Sequence, residues 1–155
     1  MDVRRATEEL RAKGIRLTRQ RAAVLAALSQ AERGLNPEEI LALAQSECPE
    51  LGLTTVYRAI ELLVSLGIAR RVHTGEGCAS VVATKAEHGH SVVCLVCGRV
   101  AEFSSCDMVS VEAAAARETG FTISVHSLEL AGTCGQCRAS GKAAHTSPGE
   151  PRRWA

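Results

Sequence analysis

The sequence predicts an α+β chain built from two small domains. Three observations support this prediction: helix-start and helix-end signals fill the first 67 residues, a β-rich hairpin pattern follows, and short strands flank cysteine pairs after residue 90. A length of 155 residues suits one ordinary domain or two small ones. Aromatic residues make up only 3% of the chain, so its core must be built from Ala, Val, Leu and Ile.

The first two predicted helices lie on either side of a basic stretch. Residues 3–13 form a helical pattern that ends near Gly14, and the segment LTRQRAAVLAALSQ follows with Thr18 as its N-cap. Residues 11–21 carry five basic side chains and no acidic one. This stretch is either a phosphate-facing patch or the solvated end of a helix and its loop.

The next two helices have the clearest boundary signals. In NPEEILALAQSE, Asn36 can cap the helix, Pro37 suits its first position and Glu39 is placed to complete a capping box. In LTTVYRAIELLVSLG, Thr54 can cap the start, and Gly67 stands where a left-handed C-cap is wanted.

A hairpin pattern completes the N-terminal domain. The segment IARRVHTGEGCASVVAT has two β-rich arms around a Gly-containing turn. Helices followed by a hairpin are the order of a winged helix-turn-helix, in which the last helix enters the DNA major groove with its N-terminal residues. Thr55, Tyr57 and Arg58 lie at that end, away from the apolar stripe, and are the predicted contacts.

The apolar pattern lapses in TKAEHGH, which predicts a hinge. We therefore divide the chain into a winged-helix domain (1–84), a hinge (85–90), a small α/β domain (91–138) and a disordered tail (139–155). In the second domain SVVCLV and RVAEF predict strands, DMVSVEAAAARETG a helix and FTISVHSLELAG one long strand.

Two Cys-x-x-Cys pairs are the strongest chemical signal in the chain. Each pair places two thiolates on one side of a tight turn, and two such turns complete a closed, tetrahedral four-sulfur site for structural Zn²⁺. A redox Cys-x-x-Cys is the alternative, but that motif opens a helix, and neither pair opens a predicted one. The predicted ligands are Cys94, Cys97, Cys134 and Cys137.

Histidines near the hinge suggest a second metal site. His88 and His90 stand beside a strand that bears Glu102, and Cys78 lies in the second hairpin arm. Imidazole, thiolate and carboxylate ligands together suit Zn²⁺, and imidazole with carboxylate also suits Fe²⁺. Ligands from both domains would fix the domain orientation when metal binds, whereas the alternative is that these histidines are solvated linker residues. His73 and His126 are weaker candidates, and Cys48 and Cys106 are expected to be ordinary structural cysteines.

The sequence also predicts a cytoplasmic protein that is not an enzyme. It has no run long enough for a membrane span and no signal peptide at its start. Seven cysteines in a reducing compartment argue for metal binding or catalysis rather than disulfides. Phosphate loops, nucleophile elbows and His-Glu-x-x-His helices are absent, which disfavours a thiol oxidoreductase or a zinc hydrolase built on His88, His90 and Glu102.

Five segments in order give the chain a family resemblance. LTRQRAAVLAAL, LTTVYRAIELLVSLGI, CLVCGRVAEF, GFTISVHSLELAGTC and CGQC resemble the ferric uptake regulator (Fur) family of metal-responsive repressors, over roughly residues 8–138. The resemblance implies that the second domain dimerises. It also implies that a homodimer represses at a palindromic double-stranded operator when it carries metal.

The resemblance assigns roles to individual residues. The four paired cysteines match the structural zinc site, and Arg16 matches a basic position that reaches toward the minor groove. Thr55, Tyr57 and Arg58 match the recognition-helix motif. Arg19, in the basic stretch, and Thr54, at the start of the same helix, complete the predicted DNA contacts.

The sensing site departs from the family pattern. Gly34, Ala83 or Thr84, and Ser91 stand where members often carry metal ligands. The remaining candidates are soft enough to favour zinc sensing over iron sensing, as in a zinc-uptake (Zur-like) regulator. The alternative is a thiol or peroxide sensor that releases zinc when its thiolates are oxidised.

Overall fold

Among the described residues, ten of the eleven helices and strands follow the order that the sequence predicts, and a short last helix is added to them. The structure is a computed structural model, and it describes residues 3–73, 79–84 and 89–142. The helices are α1 (Val3–Ala12), α2 (Arg19–Gln30), α3 (Pro37–Ala44), α4 (Leu53–Ser65), α5 (Val109–Thr119) and α6 (Gly135–Ala139). The strands are β1 (Ala69–His73), β2 (Ala79–Ala83), β3 (His90–Cys94), β4 (Val100–Phe103) and β5 (Glu129–Gly132).

Helices α2, α3 and α4 pack together around an aliphatic core. Leu25, Leu28, Ile40, Ile60 and Leu63 are almost fully buried there, as the scarcity of aromatic residues requires. Strands β1 and β2 pair antiparallel beside this core and form the wing of a winged helix-turn-helix, with Ala69 opposite Ala83. The predicted fold class is therefore confirmed for this half. The turn residues 74–77 and Cys78 lie outside the described residues.

The predicted starts of α2 and α3 are correct, whereas the predicted start of α4 is not. The Thr18 side chain accepts a hydrogen bond from the Arg21 N–H, and Gly67 adopts a left-handed φ of 69°. The prediction that Thr54 caps α4 is wrong. Extended Gly52 is the N-cap and α4 begins at Leu53, so Thr54 already lies in the first helical turn and its side chain faces outward.

The capping box that begins α3 is complete. The Asn36 side chain accepts the Glu39 N–H at 2.8 Å, and the Glu39 carboxylate accepts the Asn36 N–H at 2.8 Å. We expect Asn36→Ala to lower the free energy of unfolding by about 1 kcal/mol, because it leaves a helix-end N–H without this acceptor. Urea denaturation measures the loss, and Asn36→Ser should restore most of it.

The second sheet has the order β4-β3-β5. The central strand β3 pairs antiparallel with β4 and parallel with β5, with Ser91 opposite both Glu102 and Glu129. The return from β4 to β5 passes through α5, which ends at Gly120 with a left-handed φ of 75°. This small α/β unit agrees with the prediction for the C-terminal half.

Three predicted features of this half differ in the structure. The long strand over 121–132 is wrong, because only Glu129–Gly132 is a strand and the described ladder with β3 begins at Ser91 and Glu129. His90 starts β3 rather than ending a hinge, and residues 85–88 lie outside the described residues. Helix α6 runs to Ala139, across the predicted start of the tail, whose residues 143–155 are likewise not described.

The wing and the turn before α3 both contact the second sheet. Arg70 Nη1 donates to the buried Ser91 Oγ at 3.1 Å, and the Gly34 N–H donates to the Gly98 carbonyl at 3.2 Å. The wing also shares a hydrophobic cluster with β3 and β4, made of Val72, Val82, Val93 and Val100. None of the described helices is long and apolar enough to cross a membrane.

Candidate metal centres and DNA-contacting surface

Both Cys-x-x-Cys turns meet at one end of the second sheet. Cys94 ends β3, and Cys134 precedes α6, which carries Cys137. All four thiol sulfurs lie within 4.8 Å of one another. The Cys97 and Cys134 sulfurs are 3.8 Å apart, and the Cys134 N–H donates to the Cys94 sulfur at 3.3 Å. This spacing places the four sulfurs within reach of one tetrahedral ion.

The Cys94 and Cys137 thiols differ widely in pKa. Burial raises the pKa of the Cys94 thiol, but backbone N–H groups, including that of Cys134, outweigh burial and lower the pKa to about 6. Burial and hydrogen bonds with the other thiols raise the pKa of Cys137 to about 12. The cluster can therefore hold both thiol and thiolate, and a bound divalent cation would displace the remaining protons.

The prediction that neither Cys-x-x-Cys pair opens a helix, which argued against a redox site, is wrong for the second pair. Cys134 is the N-cap of α6, so the second Cys-x-x-Cys does open a short helix, which the sequence pattern did not reveal. The convergence of two pairs is the stronger observation. A redox site needs one pair of thiols, whereas four sulfurs around one point match a closed zinc site.

A second cluster of potential ligands lies at the opposite end of β3. Ligand atoms of His90, Cys106 and His126 all lie within 4.8 Å of one another. The Cys106 sulfur is 3.2 Å from His126 Nε2, and the rings of His90 and His126 stack at 5.2 Å. His126 Nδ1 is 2.6 Å from the Glu112 carboxylate, which orients the imidazole as second-shell carboxylates orient histidine ligands.

This cluster differs from the predicted hinge site. His90 belongs to it, and the weaker candidate His126 also does. Glu102 lies outside both metal-capable groups among the described residues, and it lines an open cavity of about 500 Å³ between α2 and β4. His73 pairs instead with Glu129, with 3.2 Å between Nδ1 and Oε1.

Two predicted ligands, Cys78 and His88, lie outside the described residues. Cys106 is the ligand-type residue that sequence reasoning missed. It lies between β4 and α5, and only the sheet order β4-β3-β5 brings that loop beside the segment that carries His126. The local signal in the sequence is that Cys106 follows the predicted strand RVAEF closely, just before the predicted helix DMVSVEAAAARETG.

The start of α4 presents an exposed polar surface. Arg58 and Thr54 are exposed, Tyr57 is 45% exposed, and Thr55 is half-buried. Val56, on the opposite side of the helix, is fully buried. The polar residues predicted to contact DNA therefore project from the helix while its apolar stripe faces the core.

Of the predicted arginine contacts near the start of α2, Arg16 is exposed and Arg19 is tethered by its side chain. Arg16 is exposed in the turn before α2. Arg19 is exposed as well, but its Nη2 donates to the Glu47 carbonyl at 2.8 Å and its Nη1 lies 3.6 Å from the Glu50 carboxylate. Arg19 therefore ties α2 to the turn between α3 and α4.

The family model described as the ferric uptake regulator family matches residues 12–131. The chain belongs to the ferric uptake regulator family. Fur-family proteins are metal-responsive transcriptional regulators rather than enzymes, and they act as DNA-binding dimers. The predicted family and regulator class are confirmed, and the enzyme alternatives are excluded.

Relatives within the family include uptake regulation proteins named for iron and for zinc. The chain is 33% identical over 137 residues to the ferric uptake regulation protein of Bacillus subtilis, covering 86% of this chain and 92% of that protein. It is also 33% identical over 129 residues to the zinc uptake regulation protein of Mycobacterium tuberculosis, covering 83% and 98%. A solved zinc uptake regulator in complex with zinc and DNA shares the fold, with a TM-score of 0.76, 24% identity and coverage of 90% and 94%.

Proposed function

We propose that this protein is a zinc-responsive repressor that binds a palindromic operator as a cytoplasmic homodimer. The observation that supports this proposal is the ligand set of the second cluster, which has two imidazoles and one thiol, from His90, His126 and Cys106. Thiolate and imidazole suit Zn²⁺, whereas Fe²⁺ in regulatory sites prefers imidazole with carboxylate. Because the chain is similar to both zinc and iron uptake regulators, the choice between Zn²⁺ and Fe²⁺ rests on the ligands of the second cluster.

Each protomer would hold two zinc ions with different tasks. The four-cysteine cluster has no open position, so we assign it a structural role. The second cluster supplies three ligands and leaves room for a fourth, so its metal would exchange more readily. His88 and Cys78 remain proposed ligands, and so do Glu102 and His73, which are not among the three residues of this cluster.

The homodimer is supported by apolar surface on the second domain. Val109 on α5 is 73% exposed, and Phe121 and Val125 are 72% and 85% exposed. Helix α5 has no buried residue among those described. Several large exposed apolar side chains on α5 and in the segment after it suggest an interaction surface, and a two-fold pairing of copies would cover it.

The DNA surface is supported by α4 and the basic stretch before α2. Arg58 can contact guanine or phosphate, and Tyr57 can contact a thymine methyl group or phosphate.

All the cysteines in the described residues are free thiols, which fits a reducing cytoplasm. We retain the boundaries 1–84, 85–90 and 91–138 as the proposed division between DNA binding, hinge and dimerisation.

Metal titrations of DNA binding test the zinc assignment. DNA duplexes selected by the zinc-bound protein from a random library serve as the operator probe. We expect the second equivalent of Zn²⁺ to raise DNA affinity at least 10-fold at lower free metal than Fe²⁺ or Mn²⁺ requires. The assignment fails if protein holding only the four-cysteine zinc binds this DNA equally well, or if Fe²⁺ acts at the lower free concentration.

A thiol-sensing regulator remains the second candidate. Cys97 is the exposed member of the four-cysteine cluster, so an oxidant has access to it. Counting free thiols and released zinc after treatment with hydrogen peroxide distinguishes the two functions. Release of the four-cysteine zinc together with loss of DNA binding would favour the redox sensor.

A further inference from the structure

Two polar contacts join the first wing strand to the second sheet. Arg70 on β1 is half-buried, and its Nη1 donates at 3.1 Å to the Oγ of Ser91, which is fully buried on β3. At the end of the same strand, the His73 N–H donates to the Glu129 carboxylate of β5 at 3.1 Å. Ser91 and Glu129 are register partners in the β3–β5 ladder. The two bonds therefore fix the direction in which β1 lies across that sheet.

Apolar side chains surround the Arg70–Ser91 bond. Val72 of β1 and Val93 of β3 are fully buried, Val82 of β2 is nearly so, and the three form one cluster. A hydrogen bond from a charged donor is stronger where little water competes for it. The valines thus provide the buried area, and the hydrogen bond selects one orientation of the wing.

The segment before α3 makes further bonds between the domains. The Gly34 N–H donates to the Gly98 carbonyl at 3.2 Å, and the Glu32 carbonyl accepts the Val100 N–H at 3.3 Å. The same segment pairs with β2 through Leu35. The winged domain therefore meets the second sheet along a continuous edge, and two backbone N–H groups on that edge have acceptors in the other domain.

The described ligands of both metal clusters come from the second domain. The four cysteines lie on β3, in the turn after it, and before and within α6. In the second cluster, His90 starts β3, Cys106 precedes α5 and His126 precedes β5. An ion at either cluster takes none of these ligands from α1–α4 or the wing. Contacts between protein atoms must therefore supply the orientation of the winged domain.

We propose that Arg70 and Ser91 are positioning residues that hold each winged domain in one orientation without a metal ion between the domains, and so set the half-site spacing that the dimer accepts. The inference goes beyond the proposed function, because it holds whichever metal is sensed. When a dimer binds a palindrome, the distance between its two recognition helices must match the distance between the half-sites. A fixed wing fixes the place of α4 in each protomer, whereas a loose wing would let that distance vary.

Amide hydrogen exchange of the full-length protein, with zinc only in the four-cysteine cluster, tests the orientation. The Gly34 and Val100 N–H groups report separation of the domains, because their acceptors lie in the other domain. A hydrogen bond to a charged group opposes opening by about 10-fold or more. We expect Ser91→Ala and Arg70→Met each to accelerate exchange of these two amides by that factor. The double variant should add little, because both changes remove the same bond.

Controls separate loss of this bond from general loosening of the fold. Ser65→Ala removes a hydroxyl whose bond to the Leu62 carbonyl stays within α4, so it should leave both exchange rates unchanged. The Ile40 N–H, which bonds at the start of α3, should exchange at the wild-type rate in every variant. Arg70→Lys keeps a cationic donor and should restore most of the protection. If Zn²⁺ in the second cluster slows exchange of the two reporter amides about 10-fold in the wild-type protein, a metal sets the orientation and the proposal is overturned.

DNA duplexes that differ only in half-site spacing test the functional consequence. Inserting or deleting one central base pair in the selected duplex should weaken wild-type binding by about 10-fold or more, because DNA or protein must deform to restore the fit. Ser91→Ala should bind the original duplex more weakly and lose less on the change of spacing. Identical spacing profiles for the two proteins would show that Ser91 does not set the spacing. If the second zinc has no effect on DNA affinity, the proposed function fails, and the exchange rates still decide this inference.

Discussion

Cys137→Ser is expected to remove one zinc per protomer and to destabilise the C-terminal domain. Cys137 is buried among the other three sulfurs, so serine would leave a polar group without a cation in a site built for thiolates. Structural zinc supplies about 10–16 kcal/mol of binding free energy in small zinc-finger peptides. We expect Cys137→Ser to lower the free energy of unfolding by at least about 3 kcal/mol, which for a chain of this size lowers Tm by roughly 10 °C.

Zinc analysis and thermal unfolding followed by circular dichroism measure this effect. Cys48→Ala is the matched control, because Cys48 is also a fully buried thiol but packs in the core of the helical domain. The Cys48→Ala variant should keep its zinc content, and its free energy of unfolding should fall by only about 1 kcal/mol. A Cys137→Ser protein that keeps full zinc and an unchanged Tm would contradict the four-cysteine assignment.

Arg58→Ala is expected to weaken specific DNA binding by roughly 10- to 100-fold. A bidentate arginine contact to guanine is worth about 1–3 kcal/mol of discrimination, and Arg58 projects from the exposed start of α4. The change should reduce the preference for selected DNA over random DNA. A phosphate-only contact would instead weaken binding to all sequences and reduce its salt dependence.

Fluorescence anisotropy at several salt concentrations separates these cases. Arg117→Ala is the control, because Arg117 is an exposed arginine at the end of α5, in the other domain. An equal loss of DNA affinity in both variants would indicate an effect of net charge rather than recognition by α4. An unchanged affinity for Arg58→Ala would remove α4 from the proposed interface.

Local signals in the sequence were enough to place most of the helices. Asn36, Pro37 and Glu39 specify a helix start through contacts within four residues, so the capping box needed no tertiary information. Thr54 failed as a cap because Gly and Thr are both acceptable N-caps, and the helix begins after the extended Gly52 instead. The four-cysteine cluster was also predictable, because each turn presents its two thiols locally.

The second cluster could not be predicted from the sequence, because its three residues come together only in the folded chain. His90, Cys106 and His126 are separated by 16 and 20 residues, and they meet only because β4 and the segment before β5 flank β3. Sequence proximity favoured Glu102, which lies on β4 opposite Ser91 and lines the cavity beside α2. The long strand over 121–132 failed for a related reason, since in the described residues only Glu129–Gly132 pairs with β3.

The valine cluster between the wing and the second sheet has a practical consequence. Val72 and Val82 belong to the winged domain, yet they are buried against Val93 of β3. Truncation after residue 84 would therefore cut through a shared core and leave two wing valines facing solvent. A DNA-binding fragment intended for study in isolation would need polar replacements at Val72 and Val82 to stay monomeric in solution.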